Sequence, residues 1–330
     1  MNNKFKCRKC NKTYPVDELK YKCDCEGLFN IEINNEDLWD TNLTLGEGNT
    51  PIIRKELGGN EVFLKLDYMM PTGSFKDRGA VVLIDQLRNH GIKEIVEDSS
   101  GNAGASIAAY AAAAGIKCSI YLPEKTSEKK VKQIKAYGAD IVKISGNRQA
   151  TSEAVLEAAE NAYYASHVYN PLFFTGTSSL AYELMDNPGK PDLIFVPVGN
   201  GTMLLGLYYG FKKIGYLPRL MAVQSRDCSP IFSEIYEENF SVNATLAEGI
   251  AVEDPPRKEE IIRAIKDSKG DIIKVSDFQI KKAYHQLAEK GLYIEPTAAA
   301  APAGFIKYSK ERKIMEDRVV IPLTGTGLKK

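Results

Sequence analysis

An α/β protein with mainly parallel sheets is the fold class this sequence predicts, on three observations. From Val62 onward, apolar strand-like runs alternate with helix-forming runs at a spacing of roughly 25–35 residues, the rhythm of βαβ units. Apolar runs end repeatedly in short glycine-rich turns, at 99–105, 197–202 and 323–327. Four of the six cysteines crowd into the first 25 residues, which sets a small N-terminal segment apart from the α/β body.

In chain order, residues 1–30 read as a ribbon-like segment, and 31–50 lead in through the turn-rich stretch GEGNTP. The segment PTGSFKDRG at 71–79 follows the first strand. Next come a strand at 92–96, a Gly/Asn turn at 99–105 and an alanine-rich run of high helix propensity at 106–114. Residues 116–121 read as a strand, 128–137 as a helix with apolar residues at helical spacing, and 141–144 as the next strand. A buried-type strand at 193–196 leads through Pro197-Val198-Gly199-Asn200-Gly201-Thr202 into a helix at 203–209. The last strand, 319–321, runs into Leu323-Thr324-Gly325-Thr326-Gly327. The expected domains are a small α/β domain at 80–170 and a larger one built from 31–79 and 171–330, with the ribbon at 1–30. No internal repeat or low-complexity tract is visible.

Cys7, Cys10, Cys23 and Cys25 form the pattern C-x2-C-x12-C-x-C. Paired thiolates on tight turns suit tetrahedral zinc, and disulfides do not persist in a reducing cytosol. With four protein ligands such a site would be structural. The second pair is C-x-C where C-x2-C is usual, so a ribbon that has lost its metal, or a surface thiol cluster, stays open. Cys118 and Cys228 read as buried small hydrophobes.

Lys76 stands out chemically. A lysine is ordinarily a hydrated point charge, and it attacks a carbonyl only when partly desolvated and neutral. Here Thr72, Gly73 and Ser74 precede it, Phe75 adjoins it and Asp77-Arg78-Gly79 follow. The turns at 99–105 and 197–202 each open a helix, whose first-turn N–H groups and positive dipole end suit a carboxylate or phosphate.

Together these motifs resemble the threonine synthase branch of the fold-type-II pyridoxal-phosphate (PLP) enzymes, along the whole chain. That family's fold has two α/β domains with mainly parallel sheets and the cofactor between them at the carboxyl ends of strands. The resemblance implies that Lys76 carries the cofactor and shuttles the Cα proton. It further implies that Asn102 hydrogen-bonds the cofactor's phenolic oxygen, that Gly199, Asn200, Gly201 and Thr202 cradle its phosphate, and that Thr324 faces its pyridine nitrogen. Ser99, Ser100, Gly101 and Ala103 would take the substrate carboxylate. A related zinc ribbon occurs in archaeal-type threonine synthases, and a homodimer is expected from the resemblance alone.

The substrate would be a small amino acid. Phosphohomoserine enzymes of the family show Ser-Thr-Gly-Asn-Thr and Asn-Pro-x-Arg motifs. Here the first reads Ser99-Ser100-Gly101-Asn102-Ala103 and the second Asn170-Pro171-Leu172-Phe173, with Phe173 in the arginine's place. An aromatic cannot replace a charge-assisted arginine fork on a dianion, although another basic residue could reach in from elsewhere. Thr326 also stands where histidine is usual. Three readings follow: a threonine synthase of threonine biosynthesis, converting phosphohomoserine to threonine and phosphate; a serine/threonine ammonia-lyase or β-replacement enzyme; or a non-enzymatic PLP-binding protein, which the intact Lys76 disfavours. His90, His167 and His285 are assigned no role.

The 43 acidic and 43 basic residues cancel, so nothing argues for nucleic acid. Without an apolar run of about 18 residues or a signal-peptide pattern in MNNKFKCRKC, no membrane association is expected and a cytoplasmic location is.

Overall fold

Strand and helix alternate along the chain as the sequence predicts. The computed structural model describes residues 3–32, 41–99, 101–126, 128–146, 148–314 and 318–329. The N-terminal ribbon is a three-stranded antiparallel sheet, order β2-β1-β3, made of β1 (Lys4–Cys7), β2 (Thr13–Pro15) and β3 (Phe29–Glu32). Phe5 and Phe29 stack at 5.4 Å, with Tyr14 edge-on to Phe29. These buried rings lie in one apolar cluster with the helices and strands that follow.

An antiparallel hairpin follows, β4 (Ile52–Leu57) and β5 (Asn60–Lys65). Alternation then begins: α1 (Asp77–Asn89), β6 (Glu94–Glu97), α2 (Asn102–Ala114), β7 (Lys117–Pro123), α3 (Glu128–Ala136), β8 (Asp140–Ile144), α4 (Arg148–Ala158) and β9 (Tyr163–Tyr164). Strands β6 to β9 form a four-stranded, all-parallel sheet in the order β8-β7-β6-β9. Two short helices, α5 (Pro171–Thr177) and α6 (Ser179–Asp186), lead to β10 (Leu193–Pro197), α7 (Thr202–Ile214), β11 (Arg219–Ser225), α8 (Pro230–Tyr236) and α9 (Lys258–Asp267). The chain closes with β12 (Asp271–Val275), α10 (Asp277–Glu289), α11 (Pro296–Glu311) and β13 (Val319–Pro322). The larger sheet has the order β12-β11-β10-β13-β5-β4, parallel except at the β4–β5 hairpin.

Two compact units divide the chain. The first takes residues 1–47, 76–177 and Lys329, and the second takes 48–75 and 178–328. Each has its own apolar core. In the first, Leu83, Ile95, Ile107, Ile120 and Phe173 pack together with the ribbon's Phe5 and Phe29. In the second, Leu64, Phe195, Val223, Phe305 and Ile321 do so. Burial on both faces explains why the parallel strands read as continuous apolar runs.

Helix ends follow local chemistry. A capping box closes α10, with the Ser276 hydroxyl accepting from Gln279 N–H and the Gln279 side chain accepting from Ser276 N–H. Helix α2 begins at Asn102, a turn before the alanine-rich run at 106–114 suggests. The glycine read as a turn residue, Gly104, lies inside it. A Cβ there would sit 1.8 Å from the Ser99 carbonyl oxygen, so the helix can start this close to its strand only with glycine. No helix among the described residues is long and apolar enough to cross a membrane.

Candidate active site

In the first unit, Lys76 occupies the N-cap position of α1, half-buried, with Nζ 5.7 Å from the centroid of the Phe173 ring on α5. The next residue, Asp77, is fully buried and accepts a 2.6 Å hydrogen bond from the Ser106 hydroxyl on α2. This bond ties the start of α1 to the second turn of α2, whose N-terminal end carries Gly101, Asn102 and Ala103. Gly101 is that helix's N-cap, with no side-chain capping bond, and no acidic residue lies in the first turn. The Ser99 hydroxyl accepts from Gly101 N–H at 3.4 Å. Ser100 lies outside the described residues. The amide of Asn102 accepts a 2.9 Å hydrogen bond from Lys329 Nζ.

Phe173 is fully buried and belongs to the core. A Cβ on Gly79 would lie 2.4 Å from its ring, and the His167 ring meets it edge-on at 5.9 Å. The sequence position at which family enzymes carry an arginine is therefore packed solid. Behind it, Glu97, the last residue of β6, is 0% exposed and joined to His167 Nδ1 by a 2.6 Å hydrogen bond. Its second oxygen, Oε2, has no hydrogen-bond partner among the described residues. Burial pushes the Glu97 carboxyl well above the usual range, the neighbouring Asp98 charge pushes the same way, and the Lys76 ammonium opposes both. Asp98 itself accepts from the Tyr164 hydroxyl at 2.8 Å.

In the second unit the strand ends carry the other candidates. The loop after β10 holds Gly199 and Asn200, and Gly201 then serves as the N-cap of α7 at φ +78°, a left-handed conformation natural to glycine. A Cβ on Gly199 would reach 2.9 Å from Ile250 Cα. Helix α7 has neither a side-chain cap at its start nor an acidic residue in its first turn, so its N-terminal dipole is open to an anion. Thr324, just past β13, is buried, and its hydroxyl has no hydrogen-bond partner among the described residues. The segment leading into Lys76 is pinned to this strand end. Phe75 N–H donates to Thr324 O at 3.0 Å, Thr326 N–H donates to Gly73 O at 2.9 Å, and Ser74 bridges Gly325.

The four ribbon cysteines converge, with all Sγ atoms within 4.8 Å of one another. Cys7 and Cys25 approach to 3.5 Å, and Cys10 and Cys23 to 3.6 Å. Zn–S bonds of about 2.3 Å make a tetrahedron with edges of about 3.8 Å, whereas a disulfide requires about 2.05 Å. The Cys7 sulfur also accepts from the N–H groups of Lys9 and Cys10, as a thiolate does. The cluster can hold a tetrahedral metal ion.

The sequence profile of the pyridoxal-phosphate dependent enzymes matches residues 43–325. The chain belongs to that family. It is 33% identical to the threonine synthase of Methanocaldococcus jannaschii over 98% of its own length and 92% of that relative's. It is 37% identical to the threonine synthase of Bacillus sp. (strain ULM1), over 87% of this chain and 85% of the relative. Serine racemase from Dictyostelium discoideum superposes with a TM-score of 0.74 at 26% identity, over 84% of this chain and 92% of that structure. The fold is that of the fold-type-II PLP enzymes, and the chain is a PLP-dependent enzyme.

The residues present fit the cofactor. The buried hydroxyls of Thr324 and Ser74 lack partners among the described residues, and a polar ligand atom would relieve that cost. The start of α7 has no side-chain cap and no acidic residue in its first turn, which suits the cofactor's phosphate. Lys76 is only half desolvated and lies against an aromatic face. Glu97 and Lys329 are not singled out by the sequence, and His167, assigned no role there, is a buried histidine bonded to Glu97. A carboxylate closing the otherwise apolar run Ile95-Val96 signals the first. No local signal marks Lys329.

Proposed function

We propose that this PLP enzyme performs elimination or replacement chemistry on a small amino acid, with conversion of phosphohomoserine to threonine and phosphate as its first candidate reaction. The observation that carries this reading is the match to the Methanocaldococcus jannaschii threonine synthase over 98% of the chain. Bound PLP supplies an electron sink for the carbanion formed at the substrate Cα. The Lys76 amine anchors the cofactor, then removes and returns the Cα proton. The Asn102 amide would donate to the phenolic oxygen, and the amides of Gly199 to Thr202 would hold the phosphate. The Thr324 hydroxyl would face the pyridine nitrogen, leaving the ring less fully protonated than an acidic partner would. Ser99, Ser100 and the first-turn amides at Gly101–Ala103 orient the substrate carboxylate. Zinc at Cys7, Cys10, Cys23 and Cys25 would hold the ribbon in a structural role, since all four ligands are protein thiolates.

A second reading, deamination of serine or threonine, draws its support from Phe173. A buried aromatic against Gly79 and His167 leaves no arginine fork for a substrate phosphate at that position. One assay separates the two. The purified protein is given phosphohomoserine, serine and threonine, and both inorganic phosphate and 2-oxo acid are measured. Phosphate with threonine supports the first reading, and oxo acid from the hydroxy amino acids supports the second. Lys76→Ala is expected to lose both turnover and the bound cofactor's visible absorbance. Full activity in that variant would overturn the assignment of Lys76.

A further inference from the structure

We infer that Lys329, which follows the last strand, is a positioning residue that fixes the Asn102 amide for cofactor binding. This rests on the reading above, in which Asn102 donates to the cofactor's phenolic oxygen. An asparagine amide offers one acceptor and two donors, and rotation by half a turn exchanges them. A phenolate oxygen only accepts, so Asn102 must present Nδ2 to it. Lys329 approaches within 2.9 Å of the amide's other end, Oδ1. An ammonium is donor-only and cannot face Nδ2. Its presence therefore selects the orientation in which Oδ1 points to Lys329 and the NH2 group points the opposite way.

The placement is electrostatically costly, which makes it informative. Asn102 is the first residue of α2, so the ammonium is held at the positive end of a 13-residue helix whose first turn carries no acidic residue to balance it. The two residues are 227 positions apart, and the bond is partly buried. Leu328, next to Lys329, is 81% exposed, so this end of the chain is not drawn in by apolar burial at that residue. The hydrogen bond to Oδ1 is one interaction that holds it there, and its effect on the amide is what the cofactor would read.

The test is a double-mutant cycle on apoprotein titrated with PLP, reading both dissociation constant and absorption maximum of the bound cofactor. Lys329→Met is expected to weaken PLP binding roughly fivefold to tenfold, the worth of one hydrogen bond, and to shift the absorption maximum. Lys329→Arg, which remains donor-only, should restore both. Asn102→Ala should weaken binding similarly, and the double variant should be no worse than Asn102→Ala alone. Lys329→Ala serves as a second removal variant should the methionine protein fold poorly, and apoprotein melting temperatures check folding throughout. Independent, multiplying effects of the two substitutions, or an unchanged affinity and spectrum in Lys329→Met, overturn the inference alone. Wild-type protein that takes up no PLP overturns the functional reading first, and this inference with it.

Discussion

At Glu97 a single buried carboxyl has consequences that pH can reveal. In the unfolded chain it ionises near its ordinary value of 4.5, whereas in the fold burial raises that value well above it. Above that pH the folded protein binds more protons than the unfolded one, so this group's contribution is whole below about pH 4.5 and drains away as pH rises. Glu97→Gln, neutral at every pH, should flatten the fall in stability as pH rises above about 4.5, read as denaturation midpoints beside the wild type. An unchanged slope would instead mean that Glu97 is ionised in the fold and paired with a charged His167. Phe173 makes the opposite lesson concrete. From sequence it invites restoration of arginine, but its ring fills fully buried space against Gly79. Phe173→Arg is thus expected to cost several kcal/mol through a buried, unpaired charge and to reduce soluble yield, with no gain in phosphohomoserine turnover. A soluble variant with a raised rate would show that the core there yields. The candidate lysine and glycine turns were legible because their chemistry is local. The Glu97–His167 pair spans 70 positions and the Lys329–Asn102 pair 227, which no local pattern encodes.

Among elements, strand–turn–helix junctions were the most readable, because a buried strand, a glycine and a helix start each leave a mark within a few residues. Strands at 193–196 and 319–321 match β10 and β13 to within a residue at each end. Helix starts were read late where a glycine stood inside the first turn, as in α2. The ribbon makes a prediction at this scale. Its Phe5, Cys7, Tyr14, Cys23 and Phe29 are buried and continuous with the core of the first unit, so its melting should be felt there. Structural zinc contributes on the order of 10 kcal/mol to comparable small sites. The purified protein should carry about one zinc per chain, and stripping it with a chelator, or Cys23→Ser, should lower the melting temperature. Protein that is metal-free as isolated and insensitive to chelator would favour a bare thiol cluster.

For the molecule as a whole, topology decides which part of the chain can be spared. The last strand, β13, is inserted between β10 and β5, so the larger sheet has no centre until the chain is almost finished. Val319, Val320, Ile321 and Leu323 are essentially unexposed. Burying each contributes about 1.5–3 kcal/mol, together about as much as the whole net stability of a typical domain. Without β13, the backbone groups of β5 and β10 that face it would be left as open edges lined by Val62, Leu64 and Phe195, a template for aggregation. A chain ended after Arg318 should therefore accumulate as insoluble protein. One ended after Gly327 keeps β13, Thr324 and the backbone bond from Thr326 to Gly73, and should fold with nearly wild-type solubility. It lacks Lys329, so it should also show the weakened PLP affinity of the Lys329→Met variant. Soluble, folded protein from the shorter chain would mean that β5 and β10 pair without their central strand. The longer truncation separates the sheet, which β13 completes, from the positioning role inferred for Lys329.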